Sequence, residues 1–164
     1  MAVQLYKIAQ NFYGKRTRHL FIADLEADTI FFKFKIAMKT FETDIFTMTV
    51  DSHAYVEMKV KKDASFDVKE LVETKNYLTA HLPGKKFYVL FNGEDYFHVN
   101  KENREFGASK EYSDHLAAMA LFSNNLALKL VGNFFIGINK PVVPTKFFSD
   151  KKKAEEWLKD RMKG

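Results

Sequence analysis

The chain has 164 residues and a formal net charge of +5, with 46% hydrophobic and 29% charged residues. This length suits one domain with a substantial core, and this composition is typical of a globular protein rather than a disordered one. Because the chain contains no cysteine, disulfide bonds, thiol nucleophiles and cysteine zinc sites are excluded.

The positive charge is concentrated at the N-terminus. Residues 1–23 contain four lysine and arginine residues and no acidic residue, so the rest of the chain is close to neutral. We therefore expect no nucleic-acid partner, because such a partner needs a basic surface on the domain itself. We also expect no membrane span, since no window has the roughly 18–20 continuous apolar residues that a span requires.

The first predicted elements lie in and just after this basic region. Apolar residues at helical spacing predict a short amphipathic helix over residues 3–13. Residues 29–36 have the two-residue period of a strand. Residues 19–25 are the expected partner of that strand in a hairpin.

A second hairpin is predicted over residues 46–60. Apolar side chains occupy every second position in both of its halves, as in strands with one buried face. Asp51-Ser52-His53 has the composition of a turn between them.

Three further strands follow along the chain. Residues 86–91 and 116–122 are nearly continuous apolar runs, which are typical of strands buried on both faces. Residues 143–148 predict a last, shorter strand.

Helices are predicted between and after these strands. The first spans about residues 67–82, and Asp67 and Glu70 have the spacing of a capping box at its start. The others span about residues 101–113 with Asn100 as N-cap, about 124–139 with Ser123 or Asn124 as N-cap, and a terminal helix that begins at Ser149 or Asp150. From the second hairpin onward the order is therefore β-β-α-β-α-β-α-β-α, which predicts an α/β fold with a mixed sheet and helices packed on it.

This element order is that of the STAS domain, and two segments resemble bacterial STAS-like (SpoIIAA-like) proteins. Residues 130–158, LVGNFFIGINKPVVPTKFFSDKKKAEEWL, carry a GNFF run, an NKP turn, a PTKFF strand and a Trp-Leu pair. Residues 92–109, NGEDYFHVNKENREFGAS, resemble the strand-loop-helix segment of the same group. The resemblance covers roughly residues 40–162 and implies a STAS/SEC14-type fold.

The resemblance also implies how the chain is divided and where it acts. Such proteins begin near Met38, so residues 38–164 would form the STAS-like domain and residues 1–37 an N-terminal extension. A bacterial, cytoplasmic protein is implied. In STAS antagonists a serine or threonine at the start of the helix after the central strand is phosphorylated, but the matching position here is Asn100, which cannot accept a phosphate. The resemblance thus implies the fold without this phosphorylation switch.

Two groups of polar residues are candidates for a binding site. Glu94, Asp95, His98 and Asn100 follow a central strand, where ligands of α/β folds often bind, so this loop is a candidate ligand or partner site. Lys140 and Lys146 are a candidate anion-binding pair. The five histidines show no paired ligand spacing, and we expect neither a metal nor a cofactor.

The predicted helix over residues 124–139 is apolar around almost its whole circumference. Such a helix must be buried on nearly all sides, whereas a helix packed on one sheet leaves one side in water. Either the N-terminal extension or another subunit could cover that side. We expect a symmetric homodimer with Leu130, Phe134, Phe135 and Ile138 in its interface.

These observations favour a non-catalytic regulatory or protein-interaction domain with an unidentified regulatory protein as partner. Phosphate-cradling, zinc-protease and nucleophile-elbow motifs are absent from the sequence, so we expect no enzyme. An alternative is the binding of a small hydrophobic or lipid-like ligand, as in SEC14-like carriers, because 17 of the residues are phenylalanine. A third interpretation is an enzyme that uses Glu94, Asp95 and His98.

Overall fold

The computed structural model of the protein describes residues 39–163. The predicted helix over residues 3–13, the strands over 19–25 and 29–36, and the extension they form lie outside the described residues. The strands are β1 (Lys39–Glu42), β2 (Phe46–Val50), β3 (Tyr55–Val60), β4 (Ser65–Phe66), β5 (Phe87–Asn92), β6 (His98–Val99), β7 (Leu116–Phe122) and β8 (Thr145–Phe148). The helices are α1 (Val68–His81), α2 (Lys101–Ala108), α3 (Lys110–Ser113), α4 (Leu126–Phe134), a π-helix (Phe135–Asn139) and α5 (Lys151–Met162).

Six of the strands form one sheet in the order β1-β2-β3-β5-β7-β8. The pairs among β1, β2 and β3 are antiparallel, and the pairs from β3 to β8 are parallel. The short strands β4 and β6 form a separate parallel pair. The predicted mixed α/β fold is confirmed, and β1, β4 and β6 are the additions that the sequence pattern did not indicate.

The core lies on both faces of the sheet. The alternating side chains of β2 and β3 are fully or almost fully buried on one face, together with Phe87 and Val89 of β5. Leu90 of β5 packs on the opposite face against Ala154 and Leu158 of α5. The continuous apolar run of β5 therefore contributes side chains to the core on both faces of the sheet, as expected for a central strand.

Two of the predicted helix starts have the hydrogen bonds that the sequence indicated. The Asp67 backbone N–H donates to Glu70 Oε2 at 2.9 Å. The Asn103 N–H donates to Asn100 Oδ1 at 2.7 Å. At α5, Asp150 rather than Ser149 is the cap, and its Oδ1 accepts from the Lys153 N–H.

The helix predicted over residues 124–139 ends at Asn139 as expected, but it begins later and changes type along its length. Asn125, not Ser123 or Asn124, is its N-cap, and its Oδ1 accepts from the N–H groups of Ala127 and Leu128. The buried Ser123 hydroxyl instead accepts from the Asn125 N–H and orients the cap. After Phe134 the helix continues as the π-helix and ends at Lys140, whose φ is 49°. None of the helices within residues 39–163 is long and apolar enough to cross a membrane.

Candidate functional site

The acidic part of the candidate loop is engaged with a lysine on β3. Lys59 Nζ lies 3.0 Å from Glu94 Oε2 and 3.6 Å from Asp95 Oδ2. The hydrogen bond from Lys59 holds the pKa of Glu94 below its usual range and raises the pKa of Lys59 in turn. These charges lie at the surface, where water screens them. The group resembles a surface ion-pair network and not a site prepared for acid–base chemistry.

Asn100 and His98, the other two residues of the candidate loop, contact different groups. The side-chain oxygen of Asn100 caps α2, and its Nδ2 donates to Asp67 Oδ1 at 2.7 Å. Asn100 therefore joins the start of α2 to the start of α1. His98 Nδ1 lies 3.5 Å from the Tyr96 hydroxyl. The structure thus divides the predicted loop into a Lys59 ion-pair group and a group around Asn100. Within residues 39–163 no cluster of three or more histidine, aspartate or glutamate side chains could hold a metal ion.

A mostly apolar cavity of about 100 Å³ lies between the sheet and the helices α2 and α4. We call it the apolar cavity. The carboxyl ends of β5 and β7 form its floor, and the inward face of α4 covers it. Its wall includes Phe66, Leu71, Phe91, Phe97, Val99, Met119, Leu121, Phe122, Leu128, Val131, Phe135 and Phe147.

An outer cleft of about 320 Å³ adjoins this cavity. It shares Phe97, Val99, Leu128 and Val131 with the apolar cavity as lining residues. His98 and Asn100, two of the predicted site residues, also line this cleft. Glu94 and Asp95 line neither space.

Two polar groups in the wall of the apolar cavity have no partner within the described part of the chain. Asn103 is 6% exposed, and its Nδ2 is buried without a hydrogen bond. The Nε of Arg104 is likewise buried and unbonded, while its Nη1 donates to the carbonyls of Val99 and Asn100. A buried donor without a partner costs about 1–3 kcal/mol, so such groups are rare and often functional.

Neither Asn103 nor Arg104 was among the candidates drawn from the sequence. Their side chains lie on a short polar helix, where polar residues normally face water. The one signal in the sequence was the spacing of Asn103 and Gly107, four positions apart, which places both on one helix face. Both line the apolar cavity.

The opposite, outward side of α4, the π-helix and the turn after it carries exposed apolar side chains, which we call the apolar stripe. It consists of Leu126, Leu130, Phe134, Ile138 and Val142, which are 48–72% exposed. Three of the four predicted interface residues, Leu130, Phe134 and Ile138, belong to it. Phe135 is a correction: it is 8% exposed and packs with Ala108 and Met119 in the core. It points inward because it follows Phe134 by about 100° around the helix.

The candidate anion pair occupies two exposed positions with different roles. Lys140 ends the π-helix. Lys146 lies on β8, and its Nζ is 5.2 Å from the centroid of the Phe148 ring. No hydrogen bond or ion pair of either side chain occurs among residues 39–163, so their use as an anion site stays a prediction.

A family described as a domain of unknown function (DUF7793) matches residues 48–162, which span from β2 to the end of α5. The chain belongs to this family. The matched segment includes every residue of the apolar cavity and of the apolar stripe. Both features therefore belong to the family domain itself.

Among solved structures, the chain is similar to an uncharacterized protein of the DUF3478 family with a SpoIIAA-like fold from Shewanella loihica PV-4. The two share 14% sequence identity with a TM-score of 0.46, over 74% of this chain and 92% of that chain. The fold named for that protein is the one implied by the resemblance of residues 92–109 and 130–158. No curated protein matches the chain.

Proposed function

We propose that the protein is a cytoplasmic, non-catalytic interaction domain that forms a homodimer through the apolar stripe. The observation that supports this function is the exposure of five large apolar side chains in one row on α4, the π-helix and the following turn. Isolated exposed apolar residues are ordinary, whereas a contiguous row is typical of a contact surface.

The size of the stripe is compatible with a second copy of the chain as the partner. Its side chains present on the order of 500 Å², which is the size of the largest apolar patch on many monomers. Two copies would then bury on the order of 1,000 Å², about the lower limit for a specific interface. Neighbouring polar residues would have to form the rim around this apolar centre.

The geometry of the helix also suits a symmetric contact. The exposed apolar residues from Leu126 to Ile138 recur at intervals of four, so a second copy would meet a continuous row of them. Two copies related by a twofold axis would pack their stripes against each other, and an unidentified regulatory protein would bind the dimer elsewhere.

The dimer is tested by sedimentation velocity on the full chain and on Leu130→Glu. We expect the unchanged protein to be a dimer at micromolar concentrations and Leu130→Glu to be a monomer, because a charge would be buried without a partner. Lys129→Gln is the matched control, since it changes the net charge by the same amount at the adjacent exposed position and should stay dimeric. A full chain that is monomeric at tens of micromolar would overturn the proposal.

A non-catalytic function is supported by the separation of the candidate catalytic residues. Glu94 and Asp95 pair with Lys59, whereas His98 lies beside Tyr96 in the outer cleft. A shared acid–base site would need these groups within hydrogen-bond reach of one reacting atom.

The second candidate function is the binding of a small hydrophobic ligand, and the apolar cavity favours it. At about 100 Å³, this cavity is smaller than the roughly 300–1,000 Å³ of common ligand pockets. It therefore suits a compact ligand better than a lipid chain. The cavity and the stripe lie on different sides of α4, although Arg104, which lines the cavity, also lies over the ring of Phe134 in the stripe.

A further inference from the structure

The lining of the apolar cavity includes two polar side chains. This lining is mostly apolar but includes Asn103 and Arg104, whose Nδ2 and Nε atoms are buried without hydrogen-bond partners in residues 39–163. Both atoms are donors. A ligand that satisfied them would therefore have to supply acceptor oxygens at that end and apolar atoms elsewhere.

The charge at this end of the cavity favours an anion. Arg104 forms no ion pair with any carboxylate in the described part of the chain. Its Nη1 is fixed by two backbone carbonyls, and its guanidinium carbon lies 5.4 Å from the centroid of the Phe134 ring. Asn103 is the third residue of α2, so its side chain lies in the first helical turn, where the helix dipole stabilises negative charge. A guanidinium and a nearby amide donor form a common arrangement for binding a carboxylate.

The size of the cavity limits the apolar part of the ligand. An engineered apolar cavity of about 150 Å³ holds a benzene molecule, and the cavity here has about 100 Å³. It therefore has room for a branched group of about four carbon atoms. Longer or bulkier groups would have to extend into the outer cleft, which shares four lining residues with the apolar cavity.

We propose that the apolar cavity binds a small branched aliphatic monocarboxylate, whose carboxylate accepts hydrogen bonds from Asn103 Nδ2 and Arg104 Nε. Its hydrocarbon part lies among Phe97, Phe122 and Leu128. This inference rests on the second candidate function and names the class of ligand. The homodimer uses the other side of α4, where Arg104 also lies over the Phe134 ring.

Isovalerate is the probe, and a ¹H–¹⁵N correlation spectrum of the full chain is the measurement. The Asn103 side-chain amide and the Arg104 Nε–H each give a signal in this spectrum. We expect both signals to shift saturably with isovalerate in the millimolar range. Acetate, which lacks the hydrocarbon part, and isovaleramide, which lacks the charge, should each bind at least tenfold more weakly.

Gly107→Ala tests whether the ligand occupies this cavity. The added methyl group would lie 3.6 Å from Leu71 Cδ1 and 3.8 Å from Phe135 Cε2, so the fold tolerates it while the cavity loses volume. We expect at least a tenfold loss of isovalerate affinity. Gly137→Ala, which adds the same methyl group in open space, should bind as the unchanged protein does. Asn103→Leu, which removes one donor, is a second variant with the same expected loss.

Two patterns of results would reject different parts of the proposal. If isovaleramide and isovalerate bound equally well, the cavity would be a hydrophobic site without the carboxylate specificity, and only the second candidate function would survive. If no probe gave a saturable shift, or if Gly107→Ala left the affinity unchanged, the cavity would not be a ligand site, and water would satisfy the two donors.

Discussion

At Gly132 the helix α4 comes closer to β8 than any other residue type would allow. A methyl group built on this glycine would lie 2.6 Å from Phe147 Cδ2. This is shorter than the contact distance between two non-bonded carbon atoms, so the Phe147 ring or the helix would have to move. Gly132 is therefore the residue that sets how deeply α4 sits over the apolar cavity.

Gly132→Ala should lower the free energy of unfolding by about 1–3 kcal/mol, because the Phe147 ring must shift to make room. The higher helix propensity of alanine would offset about 1 kcal/mol of this loss. Urea unfolding measures the change. Gly137→Ala, where a methyl group meets nothing within 4 Å, is the control and should leave the stability equal or higher. Equal losses in both variants would refute the steric explanation.

Some individual residues could be placed from the sequence and others could not. Asp67 and Asn100 were identified as caps because a cap depends on its immediate neighbours in the chain. Asn103 and Arg104 were missed because the polar face of a short helix looks the same whether it meets water or a cavity. Phe135 was assigned to the interface because a helix that is apolar all round does not show which side faces inward.

At the scale of elements, the longer strands β2, β3, β5 and β7 were predictable, whereas the short strands β1, β4 and β6 were not. The alternation in β2 and β3 and the continuous runs of β5 and β7 report burial directly. The π-helix at Phe135–Asn139 was not predicted, because residue types do not distinguish a π turn from an α turn. The break between α2 and α3 was missed as well, since it depends on Ser109, whose hydroxyl accepts from the Tyr112 N–H.

The start of α4 gives a prediction at this scale. Asn125→Ala removes the oxygen that accepts from the N–H groups of Ala127 and Leu128, so we expect unfolding to become easier by about 1 kcal/mol. Chemical denaturation of the variant measures this loss. Asn124→Ala, at the exposed neighbour that was one of the two cap candidates from the sequence, should change the stability by less than about 0.5 kcal/mol. If the Asn124 variant were the less stable one, Asn125 would not be the cap.

For the molecule as a whole, His115 couples folding to pH. Its ring is buried between Phe87 and Tyr112, and neither ring nitrogen has a hydrogen-bond partner in the part of the chain described. Burial, together with the charge of Lys75, lowers the pKa of His115 to about 4. The unfolded chain, with a histidine pKa near 6.5, therefore binds this proton more readily than the folded one.

The stability that comes from a neutral His115 is present above pH 6.5 and is lost as the pH falls towards 4. The loss approaches a few kcal/mol over this range. Unfolding free energies measured from pH 7 to 4.5 should fall more steeply for the unchanged protein than for His115→Gln. His53→Gln replaces an exposed histidine and should follow the unchanged protein. Parallel curves for His115→Gln and the unchanged protein would show that His115 does not carry this pH dependence.

The π turn determines the direction in which the apolar stripe points. In a regular α-helix every fourth residue advances by about 40°, so the side chains from Leu126 to Ile138 would wind by about 120° around the axis. The π-helix, with hydrogen bonds five residues apart, makes a wider turn and reverses part of this winding. The number of residues in this segment, and not only their identity, therefore sets which way the last exposed apolar side chain of the helix, that of Ile138, faces.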